Sequence, residues 1–273
     1  MPVGRANAAT RLAAACLMAA AYLLVSCAPA PARVARPQIT VFAAASLGDA
    51  FRAVAEAYQQ DGGAEVVFNF AASQQLANAL REGAPADVFA SANPRQMEAA
   101  VQASRVAADD VAVFASSRLV IVVSADSAID IANPRDLTSA GLRLVLAAQE
   151  VPAGQYALEF LAKASKDTAY GAGYARAVLG RVVSYEENVR AVLNKVDLGE
   201  ADAGIVYASD LAGPVGARVR RVDIPDALNV QVVYPIAAVQ DSPHQQEARA
   251  FVDFVRSAAG QRILAEYGFL PVP

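Results

Sequence analysis

From Gln38 onward, apolar runs of strand length alternate with segments of helical period, the rhythm of a sheet with crossover helices. Ile39 to Ala43 reads as a strand. Leu47 to Gln60 then reads as a helix, with Leu47, Ala50, Phe51, Val54, Ala57 and Tyr58 on one face. Glu65 to Phe70 is the next strand and Gln74 to Glu82 the next helix, stopped by Gly83. A short strand, Ala86 to Ala90, precedes a helix from Met97 to Ser104. The unbroken apolar runs Leu119 to Ser124 and Leu142 to Ala147 suit strands buried on both faces. Helices follow over Tyr156 to Ser165, Tyr174 to Leu179 and Glu187 to Leu198, then a strand from Ala203 to Tyr207. Gln231 to Val239 is the last long strand, its middle demoted by Pro235 to an edge or a crossing point. One helix, Gln245 to Glu266, closes the chain.

The pattern before Gln38 is different. Residues 1–26 carry Arg5 and Arg11, no acid, and an apolar stretch from Leu12 to Val25. That is the layout of an export signal. As a helix the stretch would rise about 21 Å, short of the roughly 30 Å hydrocarbon core of a bilayer. It ends Leu24-Val25-Ser26-Cys27, which resembles a bacterial lipobox. Lipidation of Cys27 would anchor the mature chain stably without a spanning helix. Residues 27–37, rich in alanine and proline, then form an extended tether.

Removing residues 1–26 leaves 21 basic against 27 acidic residues, a net charge of -6. No basic run is long enough to track a phosphate backbone, so nucleic acid is not an expected partner. One histidine, His244, and two cysteines, Cys16 and Cys27, leave almost no ligands for a zinc cage, an iron–sulfur cluster or a disulfide framework. Neither a metal-cation site nor a cofactor is expected.

Two strand-to-helix junctions look alike: Val41-Phe-Ala-Ala-Ala-Ser46-Leu47 and Phe68-Asn-Phe-Ala-Ala-Ser73-Gln74. Taken singly, each serine fits a helix N-cap worth about 1 kcal/mol. Ser46 with Asp49 three residues on fits a capping box. Taken together, two helix starts with small side chains and a serine suit an oxyanion, which the free amides and the positive end of the helix dipole attract. In an open α/β sheet such junctions lie where ligands collect, outside the carboxyl ends of the strands.

The run Ile39-Thr-Val-Phe-Ala-Ala-Ala-Ser46-Leu47, with Gly83-Ala-Pro-Ala-Asp87-Val-Phe, Val151-Pro-Ala-Gly154-Gln-Tyr156, Gly204-Ile-Val-Tyr207-Ala-Ser-Asp210 and Glu266-Tyr-Gly-Phe269, resembles molybdate-binding proteins of ABC transporters, the ModA family. The likeness spans nearly all of 38–270. It implies a two-lobed α/β periplasmic-binding-protein fold, type II, with two hinge crossings: lobe one over 38–116 plus 234–273, lobe two over 117–233. It implies a non-catalytic, monomeric receptor that captures molybdate, with tungstate near equivalent, and hands it to an ABC permease from the extracytoplasmic side of the membrane. Carried over motif by motif, Ser46 and Ser73 would donate through hydroxyl and amide. The N–H groups of Ala153 and Val189 and the phenol of Tyr207 would complete the cage. None is a charged side chain; fixed neutral dipoles can hold a desolvated dianion. The sequence departs from the family pattern at Ala148-Gln149-Glu150 and in Ala71-Ala72-Ser73-Gln74-Gln75, where Gln74 either donates to the ion or faces solvent.

Two other classes stay open. Sulfate or another small oxyanion would use the same physics. A serine hydrolase would need Ser46 beside His244, the only imidazole, and no Gly-x-Ser-x-Gly elbow occurs. Asp87, Asp109, Asp110 and the Glu186-Glu187 pair read as solvated faces or helix starts.

Overall fold

The computed structural model describes residues 36–212 and 215–272. The export segment, Cys27 and most of the tether lie outside the described residues. In chain order the elements are β1 (Gln38–Ala44), α1 (Gly48–Gln60), β2 (Glu65–Ala71), α2 (Ser73–Arg81), β3 (Val88–Ala90), α3 (Pro94–Gln102), β4 (Ala112–Ser124), β5 (Leu144–Ala147), α4 (Pro152–Lys166), α5 (Tyr174–Leu179), β6 (Val182–Glu186), α6 (Val189–Asp197), β7 (Ala203–Tyr207), β8 (Val219–Asp223), β9 (Gln231–Ala238), α7 (Gln245–Arg256) and α8 (Ala258–Glu266). A 3-10 turn, Ala45–Leu47, joins β1 to α1.

The strands form one mixed sheet in the order β2-β1-β3-β9-β4-β7-β5-β6, with β8 paired to β4. β1, β2 and β3 run parallel, as do β5, β6 and β7, and each set is fed by crossover helices. Two strands serve both halves. β4 pairs with β9 from Ala112 to Arg118, then with β7 and β8 from Leu119 to Ser124. β9 passes from β4 to β3 at Ile236. The expected crossing positions, 116/117 and 233/234, fall inside these two strands.

The core follows from the periodicity. Ile39 and Val41 of β1 and Phe51 and Val54 of α1 are fully buried, and Phe51 packs against Phe114 and Phe251. On the other half, Val189, Val192, Leu193 and Val196 of α6 face β7. There Gly204 lets the helix approach: a Cβ at that position would sit 2.7 Å from Val192 Cγ1.

Several expectations are corrected. Of the two readings of Pro235, the edge is wrong, because β9 lies between β3 and β4, and the crossing point holds, because β9 changes partner at the adjacent Ile236. The missing N–H of Pro235 is accommodated by a register irregularity between Val113 and Ala115 opposite it. The closing helix is two helices, broken at Ser257, whose hydroxyl accepts from Gly260 N at 3.2 Å and donates to Phe254 O at 2.7 Å. Strands β6 and β8 were not expected at all. Asp87 is buried rather than solvated, because it accepts from Thr40 N at 2.6 Å and from the Ser242 hydroxyl at 2.5 Å, joining β1 to the segment after β9.

Candidate functional site

Four chain segments that begin or precede helices meet at one small cavity. Its walls come from the 3-10 turn after β1 (Ser46), the start of α2 (Ser73), the start of α4 (Ala153) and the start of α6 (Val189), and Tyr207 at the end of β7 adds a fifth. All five residues expected at the site line this one small cavity. No charged side chain is among the lining residues.

The first turn of a helix has amide N–H groups with no intrahelical acceptor. Pro152, first in α4, contributes no N–H, so Ala153 is the first residue of that helix able to donate. Val189 opens α6, and the preceding Asn188 holds the turn in shape by accepting from Ala191 N at 3.0 Å. Gly154 permits the tight path into α4: a Cβ there would meet Ala148 O at 2.1 Å. Several helix N-termini thus border one cavity, near their positive dipole ends.

The hydroxyls are not caps. Ser46 sits inside the 3-10 turn, which has no side-chain cap hydrogen bond, and its buried Oγ has no partner. The expected box with Asp49 does not form, because the turn places Leu47, not Ser46, at the start of α1. Ser73 is the first residue of α2; the residue before it, Ala72, donates its N–H to Gln75 Oε1 at 3.3 Å. The Ser73 Oγ instead accepts from Ala92 N at 3.0 Å, which leaves its proton free to donate.

Tyr207 is 1% exposed and its hydroxyl is likewise unpartnered. Burial pushes its phenol far above the ordinary range, with Tyr234, Tyr156 and Asp210 adding to the rise, so it stays protonated and can donate. Tyr156 and Tyr234 pack edge-on against it at 6.3 and 6.0 Å. Behind the cavity, the buried Tyr234 hydroxyl lies near Ser46 and Ser209, short of full hydrogen-bond geometry. Gln74 does not line the cavity; its Oε1 is buried without a partner.

Sequence reasoning missed Asn188 and Ala92. Asn188 stands in the position of a helix cap before Val189, and Ala92 precedes Asn93-Pro94, another helix start; both signals were present. The structure does not bring Ser46 to His244. The histidine lines a separate pocket with Thr40, Asp87 and Arg105. Among the described residues, no cluster of His, Cys, Asp or Glu could hold a metal ion, and no helix is long and apolar enough to cross a membrane.

A mixed sheet with two shared strands and a small, uncharged cavity at its helix starts is the architecture of a solute-binding protein. Residues 39–270 match the family described as bacterial extracellular solute-binding protein. The molybdate-binding protein ModA of Mycobacterium tuberculosis is 40% identical over 232 residues, covering 85% of this chain and 84% of that protein. In fold, the periplasmic molybdate-binding protein of Azotobacter vinelandii superposes with a TM-score of 0.75 at 18% identity, covering 86% of this chain and 99% of that one. The sulfate-binding protein SubI from Mycobacterium tuberculosis superposes at 0.78 with 22% identity, covering 86% and 87%. The chain belongs to the ModA family of bacterial extracellular solute-binding proteins.

Proposed function

We propose that this protein captures molybdate, with tungstate near equivalent, between two lobes and delivers it to an ABC permease. The lobes are residues 38–116 plus 234–273 and residues 117–233, hinged through β4 and β9. One observation carries the reading: Ser46, Ser73, Ala153, Val189 and Tyr207, from five separate segments, line a single cavity without a charged side chain. Each hydrogen bond to the ion is worth about 1.5–3 kcal/mol, and much of the sum offsets dehydration of the anion. A site that presents protons favours an anion with none of its own. The ModA relative named above supports molybdate as the guest.

The protein acts by binding and release, without a catalytic step; Ser46 and His244 line separate pockets, which leaves the serine no imidazole base. It works as a monomer. Export followed by lipidation at Cys27 anchors it to the outer side of the cytoplasmic membrane, with residues 28–37 as the tether. Substitution of Cys27 by Ser is expected to release the protein from membranes; persistent membrane attachment counts against the anchor.

Thermal denaturation with molybdate, tungstate, sulfate or phosphate tests the guest. A ligand held only by the folded form raises Tm as RT ln(1 + [L]/Kd). Molybdate and tungstate are expected to give the largest shifts. A clear shift with sulfate or phosphate alone reassigns the protein to that anion.

A further inference from the structure

Val189, a proposed donor, is followed directly by Arg190, yet that guanidinium does not line the cavity. Two carboxylates hold it aside. Its Nη2 donates to Asp49 Oδ2 at 2.6 Å, and its Nε lies 3.5 Å from Asp210 Oδ1. Asp210 is fully buried, and its other oxygen accepts from the backbone N–H of Tyr207 at 3.0 Å. Asp49 is in the first turn of α1, three residues beyond Ser46.

One side chain therefore ties together the segments that carry three of the five proposed donors. Through Asp210 it joins the Val189 turn to the end of β7, within residues 117–233. Through Asp49 it reaches across to the segment that carries Ser46, within residues 38–116. Arg52 is the other cation facing Asp49, at 3.5 Å, and its side chain is 63% exposed. A second contact spans the same two stretches without charge: Asn93 Nδ2 donates to Gln155 Oε1 at 3.1 Å.

Building on the proposed function, we infer that Arg190 is a positioning residue whose ion pair with Asp49 forms on lobe closure and slows release of the bound anion. Arg190 stays paired with Asp210 whether the lobes are open or closed, so the Asp49 contact is the part that changes. A charge-assisted bond at a partly buried site is strong enough to weigh on release. Because binding needs both lobes to converge, loss of the contact acts on dissociation more than on association.

Asp49→Asn is the informative variant. It leaves Arg190 with its buried partner, whereas loss of Arg190 would strand Asp210 as an uncompensated charge and threaten the fold. Stopped-flow release of molybdate from Asp49→Asn is expected to be faster by on the order of tenfold, with association little changed. Asp49→Glu is expected to recover part of the loss. Added sodium chloride is expected to speed release from the wild type more than from Asp49→Asn, since the ion pair is screened only where it exists. Ser46→Ala, which keeps the latch, should weaken binding while retaining that salt response. If the wild type binds molybdate and Asp49→Asn releases it at the wild-type rate with the wild-type salt response, the latch is overturned and the functional reading stands. If the wild type binds neither molybdate nor tungstate, both fall together.

Discussion

The Ser73 hydroxyl oxygen accepts the Ala92 N–H at 3.0 Å, and this bond fixes what the serine has left to offer. With the oxygen accepting from Ala92, the hydroxyl proton is free to be donated elsewhere, and Ser73 lines the cavity. Ser73→Ala is expected to weaken molybdate binding by about 1–3 kcal/mol and to lower stability as well, by about 1 kcal/mol or more, because the Ala92 N–H loses its acceptor. Titration calorimetry and chemical denaturation of the same variant separate the two effects. Unchanged affinity with reduced stability would make the serine structural only.

Ser46 differs in having no partner to lose. Its Oγ is buried and unsatisfied, so Ser46→Ala should cost affinity by about 1–3 kcal/mol while leaving the stability of the anion-free protein nearly unchanged. A fall in stability of the size of a lost cap, without a fall in affinity, would restore the helix-cap interpretation.

Tyr207→Phe removes another buried, unpartnered hydroxyl and keeps the ring that packs on Tyr156 and Tyr234. The anion-free variant is expected to melt at or above the wild-type temperature, because deletion of an unsatisfied buried group relieves a desolvation cost. Its affinity for molybdate is expected to fall. A variant that melts far lower, with affinity intact, would assign the hydroxyl to the fold.

Burial raises the Asp210 carboxyl to about 6, against the pull of Arg190 and the Tyr207 N–H, with Asp49 adding to the rise. The unfolded chain releases that proton at the ordinary aspartate value of about 3.9. Between those values the folded state binds more protons, so this group makes stability decline as pH rises from about 4 to about 6, with the full cost present above that. Asp210→Asn keeps an acceptor for the Tyr207 N–H and cannot ionise. The Tm of the variant minus that of the wild type is expected to become more positive from pH 4 to pH 7. A difference that is flat across the range, or that becomes more negative, would contradict the shift.

Much of this architecture was legible in the pattern of apolar positions. Tyr174–Leu179 and Ala203–Tyr207 were read with their observed limits: Gly173 and Gly180 bound the first, and Asp202 marks the start of the second. β8 was missed because Val-Arg-Arg-Val-Asp has no apolar run, and only one of its residues, Val222, is buried. The first half of β4 was missed because Ser116 and Ser117 interrupt its apolar run; they are buried nonetheless, with the Ser116 backbone bonded to Leu270 in both directions. For the site, local pattern located the helix starts at Ser46 and Ser73 and read their hydroxyls as caps when taken singly and as an oxyanion site when taken together; neither hydroxyl caps its helix. It carried no information that segments as distant as Ser46 and Tyr207 meet. That convergence depends on which strands are neighbours in the sheet, and only the family resemblance anticipated it.

The central claim is that uncharged groups from both lobes enclose a bare dianion. A crystal structure of the protein with tungstate, located by its anomalous scattering, tests it directly. The account predicts one peak within hydrogen-bond reach of the Ser46 and Ser73 hydroxyls, the Ala153 and Val189 amides and the Tyr207 phenol, with Arg190 still turned to Asp49 and Asp210. A peak elsewhere, or the Arg190 guanidinium seated on the ion, would contradict it.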